Sequence, residues 1–236
     1  MAKLTDILSN AGRNSGSALG FIGSGSGARK PKARAIIAPY AAGDSAAKLA
    51  SAGVDIAVIT PGTDTSDLKA AKLVWGVDVR QSSDAHEELL QKLHDDGALF
   101  VILGYNSPAR LIGVKVEKLE KVIFLDPPKD DPLYIQYKTT NALAVDAAAL
   151  NLELEADLLA KATIREMSHL TALVDMLRFQ TIITLKNAPN KSDAAWLVKT
   201  GARGLWLQTS SIAEVEALRV ALESVPHESD SSVSIA

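Results

Sequence analysis

"GDSAAKLASAGVDIAVIT", residues 43 to 60, holds a complete structural unit. Asp44 and Ser45 are helix-starting residue types, "AAKLASA" has helical composition, Gly53 is a natural stop, and "DIAVIT" is a short β-branched run. Near the other end, "KSDAAWLVKTGARGLWLQT" (191 to 209) repeats the order: Ser192 and Asp193 before a helix, Gly201 after it, then "GLWLQT". A third unit opens on Ser83 and Asp84, runs through "AHEELLQKLHDDG" and stops at Gly97. Cap, helix, glycine, strand is the grammar of a parallel sheet with crossover helices, and its recurrence near both ends favours one closed repeat over two unrelated domains.

Working outward, eight β-rich apolar runs can be counted: 33 to 40, 55 to 60, 74 to 80, 98 to 105, 121 to 126, 142 to 146, 181 to 187 and 204 to 209. Eight strands close a (β/α)8 barrel, whose usual size is about 250 residues, and the chain has 236. On these runs it resembles TIM-type (β/α)8 barrel proteins over almost its entire length, and the expected fold class is α/β with a single barrel. The alternative is an open doubly wound sheet. A dinucleotide-binding version of it would need a glycine-rich turn after the first strand, where "APYAAGDSAAK" offers only Gly43.

The barrel is expected over residues 33 to 225, with an N-terminal helix and connection over 1 to 32 covering its bottom and a mobile tail over 226 to 236. Residues 106 to 141 read as short or irregular helices. Residues 147 to 180 read as an enlarged helical segment after the sixth strand, with an apolar stripe of Leu159, Met167, Leu170, Leu173, Val174 and Leu177. That segment could cover the mouth or pair with a second copy of the chain. "FIGSGSGARKPKARAIIAPY" (21 to 40) resembles a phosphate cradle in composition only: its glycines precede a strand instead of following one, and no Gly-Lys-Ser/Thr occurs in it. It reads as a flexible connection, with residues 17 to 22 folded over the N-terminal end of the barrel.

Side chains alternate along a strand, so parity separates residues facing the barrel interior from those facing the helices. In "VWGVDVR" the apolar set Trp75, Val77 and Val79 suits the helix layer, which turns Gly76, Asp78 and Arg80 inward. The same parity turns in Val122, Phe124 and Asp126, then Ile182, Thr184 and Lys186, then Gly204, Trp206 and Gln208; Thr60 and Asp146 close the second and sixth strands. Charge thus gathers at the C-terminal ends of the strands, where barrel enzymes keep their chemistry. Asp78, Arg80, Asp126 and Lys186 must there be paired with each other, solvated, or bound to a ligand. As a site, Lys186 would act as Schiff-base nucleophile, proton shuttle or anion anchor, and Asp126 or Asp78 as general acid or base. Arg80, Thr60, Gln208 and Asp146 would bind substrate. The expected function is that of a lyase, aldolase or isomerase acting on a small anionic or carbonyl substrate. The alternative is a non-catalytic barrel serving as a ligand-binding or assembly subunit, in which the four charges form a salt-bridge plug.

Several classes are set aside. With a formal charge of −3 and scattered basic residues the chain lacks the footprint of a nucleic-acid binder. No cysteine occurs, which removes disulfides, thiolate metal sites and cysteine nucleophiles. "MAKLTDILSNAGRNSG" contains no signal-like apolar stretch and no long apolar run follows, so a cytoplasmic protein outside the membrane is expected. The four histidines, at 86, 94, 169 and 227, lack metal-ligand spacing, so no metal site is expected; magnesium held by Asp78 and Asp126 is the one weak candidate, and no cofactor is identified. The loops "KNAPNKSD" and "QTSSIAE" after strands seven and eight contain no glycine, against phosphate held in the usual way. Ser211 reads as an N-cap with Glu214 completing a capping box. "VDVRQSSD" (77 to 84) resembles the D-x-K-x-x-D strand of the orotidine-monophosphate decarboxylase-like barrels in its first aspartate. Arg80 replaces the lysine and Asp84 falls one position late, so the roles of that motif are not carried over.

Overall fold

Alternate residues along each strand separate into two cores, and that separation defines the architecture. In the computed structural model the described residues are 3–11, 34–41, 43–82, 86–126, 135–154 and 157–225. The strands are β1 (Ala35–Pro39), β2 (Ile56–Ile59), β3 (Val74–Asp78), β4 (Phe100–Gly104), β5 (Glu120–Leu125), β6 (Ala147–Leu154), β7 (Gln180–Leu185) and β8 (Gly204–Leu207). Each is parallel to the next, and β8 pairs back onto β1 with Ala35 beside Gly204, so the sheet closes into a (β/α)8 barrel.

The helices are α1 (Leu4–Asn10), α2 (Ala46–Ala52), α3 (Ser66–Ala70), α4 (Glu87–Asp95), α5 (Arg110–Gly113), α6 (Ile135–Thr140), α7 (Leu158–Lys161), α8 (Ile164–Met176), α9 (Lys191–Lys199) and α10 (Ile212–Glu223). From α2 onward they lie between or after the strands, and Trp75, Val77 and Val79 join the core beneath them. No helix among the described residues is long and apolar enough to cross a membrane.

Inside the barrel, bulk is balanced strand by strand. Phe100 lies in register with Gly76, and Phe124 with Gly104 on one side and Ala149 on the other. A Cβ added at Gly76 would stand 2.4 Å from the Phe100 ring, so only glycine leaves that ring its place. Alternating large and small residues is how a narrow barrel fills without voids.

At the N-terminal end, α1 packs against the inner core. Leu4 and Leu8 are fully buried in the inner core. The Thr5 amide and hydroxyl both donate to the Glu120 carboxylate at the start of β5, and the Arg203 guanidinium donates to Ala11 O at 3.3 Å. The glycine-rich connection and residues 17 to 22 lie outside the described residues, as does the tail from 226.

Seven of the eight expected strands coincide with observed ones; the sixth is displaced. It runs over Ala147–Leu154 and not over 142 to 146. Its alanines have weak strand preference, but Ala147 and Ala149 are fully buried in the interior, where a small residue beside Phe124 is required and overrides propensity. Two caps also differ. Asn190, not Ser192 or Asp193, caps α9 by accepting from Asp193 N at 2.9 Å. The Ser211 side chain makes no capping bond to α10, and Glu214 accepts from Ala188 N at 2.6 Å instead of completing a capping box. Ser45 and Gly53 bound α2 as expected, with Gly53 at φ +110. Residues 83–85 lie outside the described set. The enlarged segment after β6 is two helices, divided where Thr163 and Glu166 form a capping box that starts α8.

Candidate functional site at the C-terminal mouth of the barrel

Asp78 ends β3 and Arg80 follows two residues later, so both project over the interior. Arg80 grips Asp78 in a two-pronged pair, Nε to Oδ1 at 2.9 Å and Nη2 to Oδ2 at 2.7 Å, while its backbone amide donates to Oδ1 at 3.0 Å. The guanidinium lies flat on the interior: its Cζ is 3.6 Å from the Phe124 ring centroid and 5.8 Å from that of Trp206. Phe124 and Trp206 meet edge to face, with centroids 5.9 Å apart. An arginine on aromatic faces is held by cation–π attraction and kept planar for a further bidentate partner. Both side chains stay partly exposed, Arg80 27% and Asp78 18%, so the pair is open to solvent and to a ligand. Gly104 on the neighbouring strand leaves room for the Arg80 stem, whose Cβ would be 3.6 Å from a Cβ placed there. Beneath it, the buried Trp206 indole N–H meets no acceptor among the described residues. An unanswered buried donor is costly.

The other half of the mouth is a chain of neutral and acidic groups. Asn151 on β6 donates to Asp126 Oδ1 at 2.8 Å and its own carbonyl meets the Gln208 amide at 3.5 Å and the Thr184 hydroxyl at 3.3 Å. Thr184 in turn donates to Leu150 O and accepts from Leu152 N, where the ladder between β6 and β7 shifts register between Leu150 and Leu154. Such irregularities re-aim side chains at strand ends. Asn151 lies within that stretch and engages Oδ1 of Asp126.

The structure therefore joins Asp78 to Arg80 directly, and Asp126 to Gln208 through Asn151. Lys186 stands exposed at the end of β7, its backbone amide donating to Leu154 O at 3.0 Å. Thr60 follows β2, exposed, its hydroxyl 3.2 Å from that of Thr63 in the same loop. Asp146 is a correction: because β6 starts at 147, Asp146 precedes its strand at the opposite end of the barrel, where its carboxylate accepts from Lys121 N at 2.8 Å. It cannot contact a substrate at the mouth.

Asn151 is not among the residues expected at the site, because a sixth strand over 142 to 146 ends before it, whereas β6 runs over Ala147–Leu154. The signal was there in "AAALNLEL", where Ala147, Ala149 and Asn151 share one parity. Among the described residues no group of three or more histidine or acidic side chains could hold a metal ion. A cavity of about 550 Å³, lined by Lys138, Asn141, Ala142, Met176 and Arg178, lies between the C-terminal ends of α6 and α8, at the far end from the mouth. None of the residues expected at the site lines it.

No protein-family model matches the chain, and no curated protein matches it in sequence. Solved structures do match in shape. Orotidine 5′-phosphate decarboxylase from Pyrococcus horikoshii superposes with a TM-score of 0.58 at 12% identity, covering 80% of this chain and 98% of that one. Thiamine phosphate pyrophosphorylase from Pyrococcus furiosus gives 0.57 at 12% identity over 80% and 95% of the two chains. Phosphoribosyl anthranilate isomerase from Thermus thermophilus gives 0.57 at 14% identity over 81% and 98%. These neighbours are barrel enzymes, and at such identities the likeness is one of fold: the chain is a TIM-type (β/α)8 barrel.

Proposed function

We propose that the protein is an enzyme of lyase or isomerase type that moves a proton beside the carbonyl of a small carboxylate substrate at the C-terminal mouth. The observation that carries this reading is the Arg80 guanidinium, flat on Phe124 and 5.8 Å from the ring centroid of Trp206, whose indole N–H meets no acceptor among the described residues. A substrate oxygen on that cation gains a charge-assisted bond, and the negative charge that develops as an enolate forms falls where a fixed cation already sits. Asp126, oriented by Asn151, is the general base that takes the proton from the carbon and returns it. Asp78 holds Arg80 in place, Gln208 and Thr60 contact the substrate's polar rim, and Lys186 attracts anions to the mouth. Its exposure argues against the Schiff-base role, which draws on burial to weaken the charged amine.

Solvent deuterium exchange tests this. A panel of 2-oxo acids incubated with the protein in D2O is expected to exchange the C3 protons beside the keto group faster than in buffer, and Asp126→Asn is expected to lower the rate by about 10²-fold or more. Buffer-level exchange for every acid in the panel, with no binding detected, would sink the catalytic reading. One observation favours the non-catalytic alternative: Arg80 and Asp78 satisfy each other, as a structural plug would. In that case Arg80→Met with Asp78→Leu is expected to be neutral or stabilising, and no small acid would shift the Trp206 indole resonance.

A further inference from the structure

We propose that this chain supplies its own carboxylates where phosphate-binding barrels hold a phosphate, so that Glu214 and Asp44 make the mouth select unphosphorylated ligands. This rests on the mouth being the ligand site. In phosphate-binding barrels the anion is held by backbone amides of the loops after strands seven and eight and by a helix N-terminus beside them. Here the loop after β7 presents Ala188 N, and that amide is already engaged by Glu214 Oε2 at 2.6 Å. Glu214 lies in the first turn of α10, half-buried, and abandons the capping of its own helix to make this contact. The next residue of the loop, Pro189, is buried and has no N–H to offer.

On the other side of the same corner, Ser210 in the loop after β8 donates to Asp44 Oδ1 at 3.4 Å, while Asp44 Oδ2 accepts from Ala41 N at 2.8 Å in the loop after β1. Two carboxylates from different elements thus engage one donor from each of three adjacent loops. A phosphate entering there would have to displace one carboxylate and face the charge of the other in a partly desolvated place, where like charges repel strongly. A ligand carboxylate on Arg80, across the mouth on the β3 side, meets a cation that offsets the charge of Asp78 beside it.

The test is a titration of the 15N-labelled full chain with inorganic phosphate and, separately, malonate, followed by NMR. Malonate is expected to shift the Arg80 and Trp206 side-chain signals of the wild type, whereas phosphate leaves the Ala188 amide unmoved. In Glu214→Ala, phosphate is expected to shift Ala188 and the first-turn amides of α10, with affinity at least about tenfold above wild type. Glu214→Gln, which keeps the acceptor and loses the charge, is expected to fall between the two and decides the matter should the alanine variant not fold. The inference is overturned if wild type binds phosphate at Ala188 as tightly as the variants, or if folded variants gain no affinity. Malonate silence at Arg80 and Trp206 would instead overturn the mouth as ligand site, a separate failure from that of the phosphate arm.

Discussion

Lys121 is a residue whose position has a measurable pH consequence. It sits on β5 with its side chain turned toward the helix layer, 7% exposed, and its ammonium donates to the carbonyls of Ile112 and Val114 at the end of α5. There it fills a cationic role at a helix C-terminus too short to satisfy itself. Burial pushes its pKa below the ordinary 10.5, and the nearby Asp146 carboxylate only partly opposes this. Since the folded state binds this proton less readily than the unfolded chain does, stability rises with pH between the folded value and 10.5 and is lost again as pH falls through the folded value. The expected outcome is that wild type gains stability relative to Lys121→Met as pH is raised through the alkaline range below 10.5. Urea unfolding of both proteins across that range measures the difference, and a difference flat in pH would remove the assignment.

Asp193 shows the same logic between elements. It is fully buried in the first turn of α9, and its two oxygens accept from Leu158 N and Leu159 N at 2.9 Å each, so one helix's carboxylate starts another helix, α7. Asp193→Ala strands two amides and is expected to cost about 2–4 kcal/mol, read by urea unfolding together with faster hydrogen exchange at Leu158 and Leu159. Unchanged exchange there would mean that α7 starts without it. In the sequence Asp193 looks like the cap of its own helix, because Asp before an apolar run is a local signal and the partner 35 positions away is not. The same limit hid the true role of Glu214, whose capping-box spacing was legible while its contact with Ala188 was not. Parity, by contrast, is local and strict, and from the sequence alone it turns Arg80, Phe124 and Trp206 inward, where Phe124 and Trp206 lie in the inner core with Arg80 over them. It misplaced Asp146 for one reason: a strand begun five residues early carries its polar terminus to the wrong end of the barrel.

For the whole molecule, the barrel is one closed sheet with two differently finished ends. Shape is shared with enzymes at 12% to 14% identity, because eight alternating units determine it; the mouth is composed of loops and strand ends that the fold leaves free to vary. The opposite end is finished by α1, and its contribution can be isolated. Removing residues 1 to 11 uncovers Leu4 and Leu8, each worth about 1.5–3 kcal/mol of burial, and leaves the Glu120 carboxylate at the bottom of β5 without Thr5. Together these predict a loss of about 3–6 kcal/mol, or on the order of 10–20 °C in Tm for a domain of this size. Because Glu120 faces the interior only to be met by α1, Glu120→Leu in the truncated chain is expected to recover part of the loss, whereas in the full chain the same change is expected to be destabilising through the unanswered Thr5 amide. Thermal unfolding of the four proteins gives the coupling between plug and carboxylate directly. A truncation that lowers Tm by no more than about 3 °C would mean that α1 lies on the barrel without closing it.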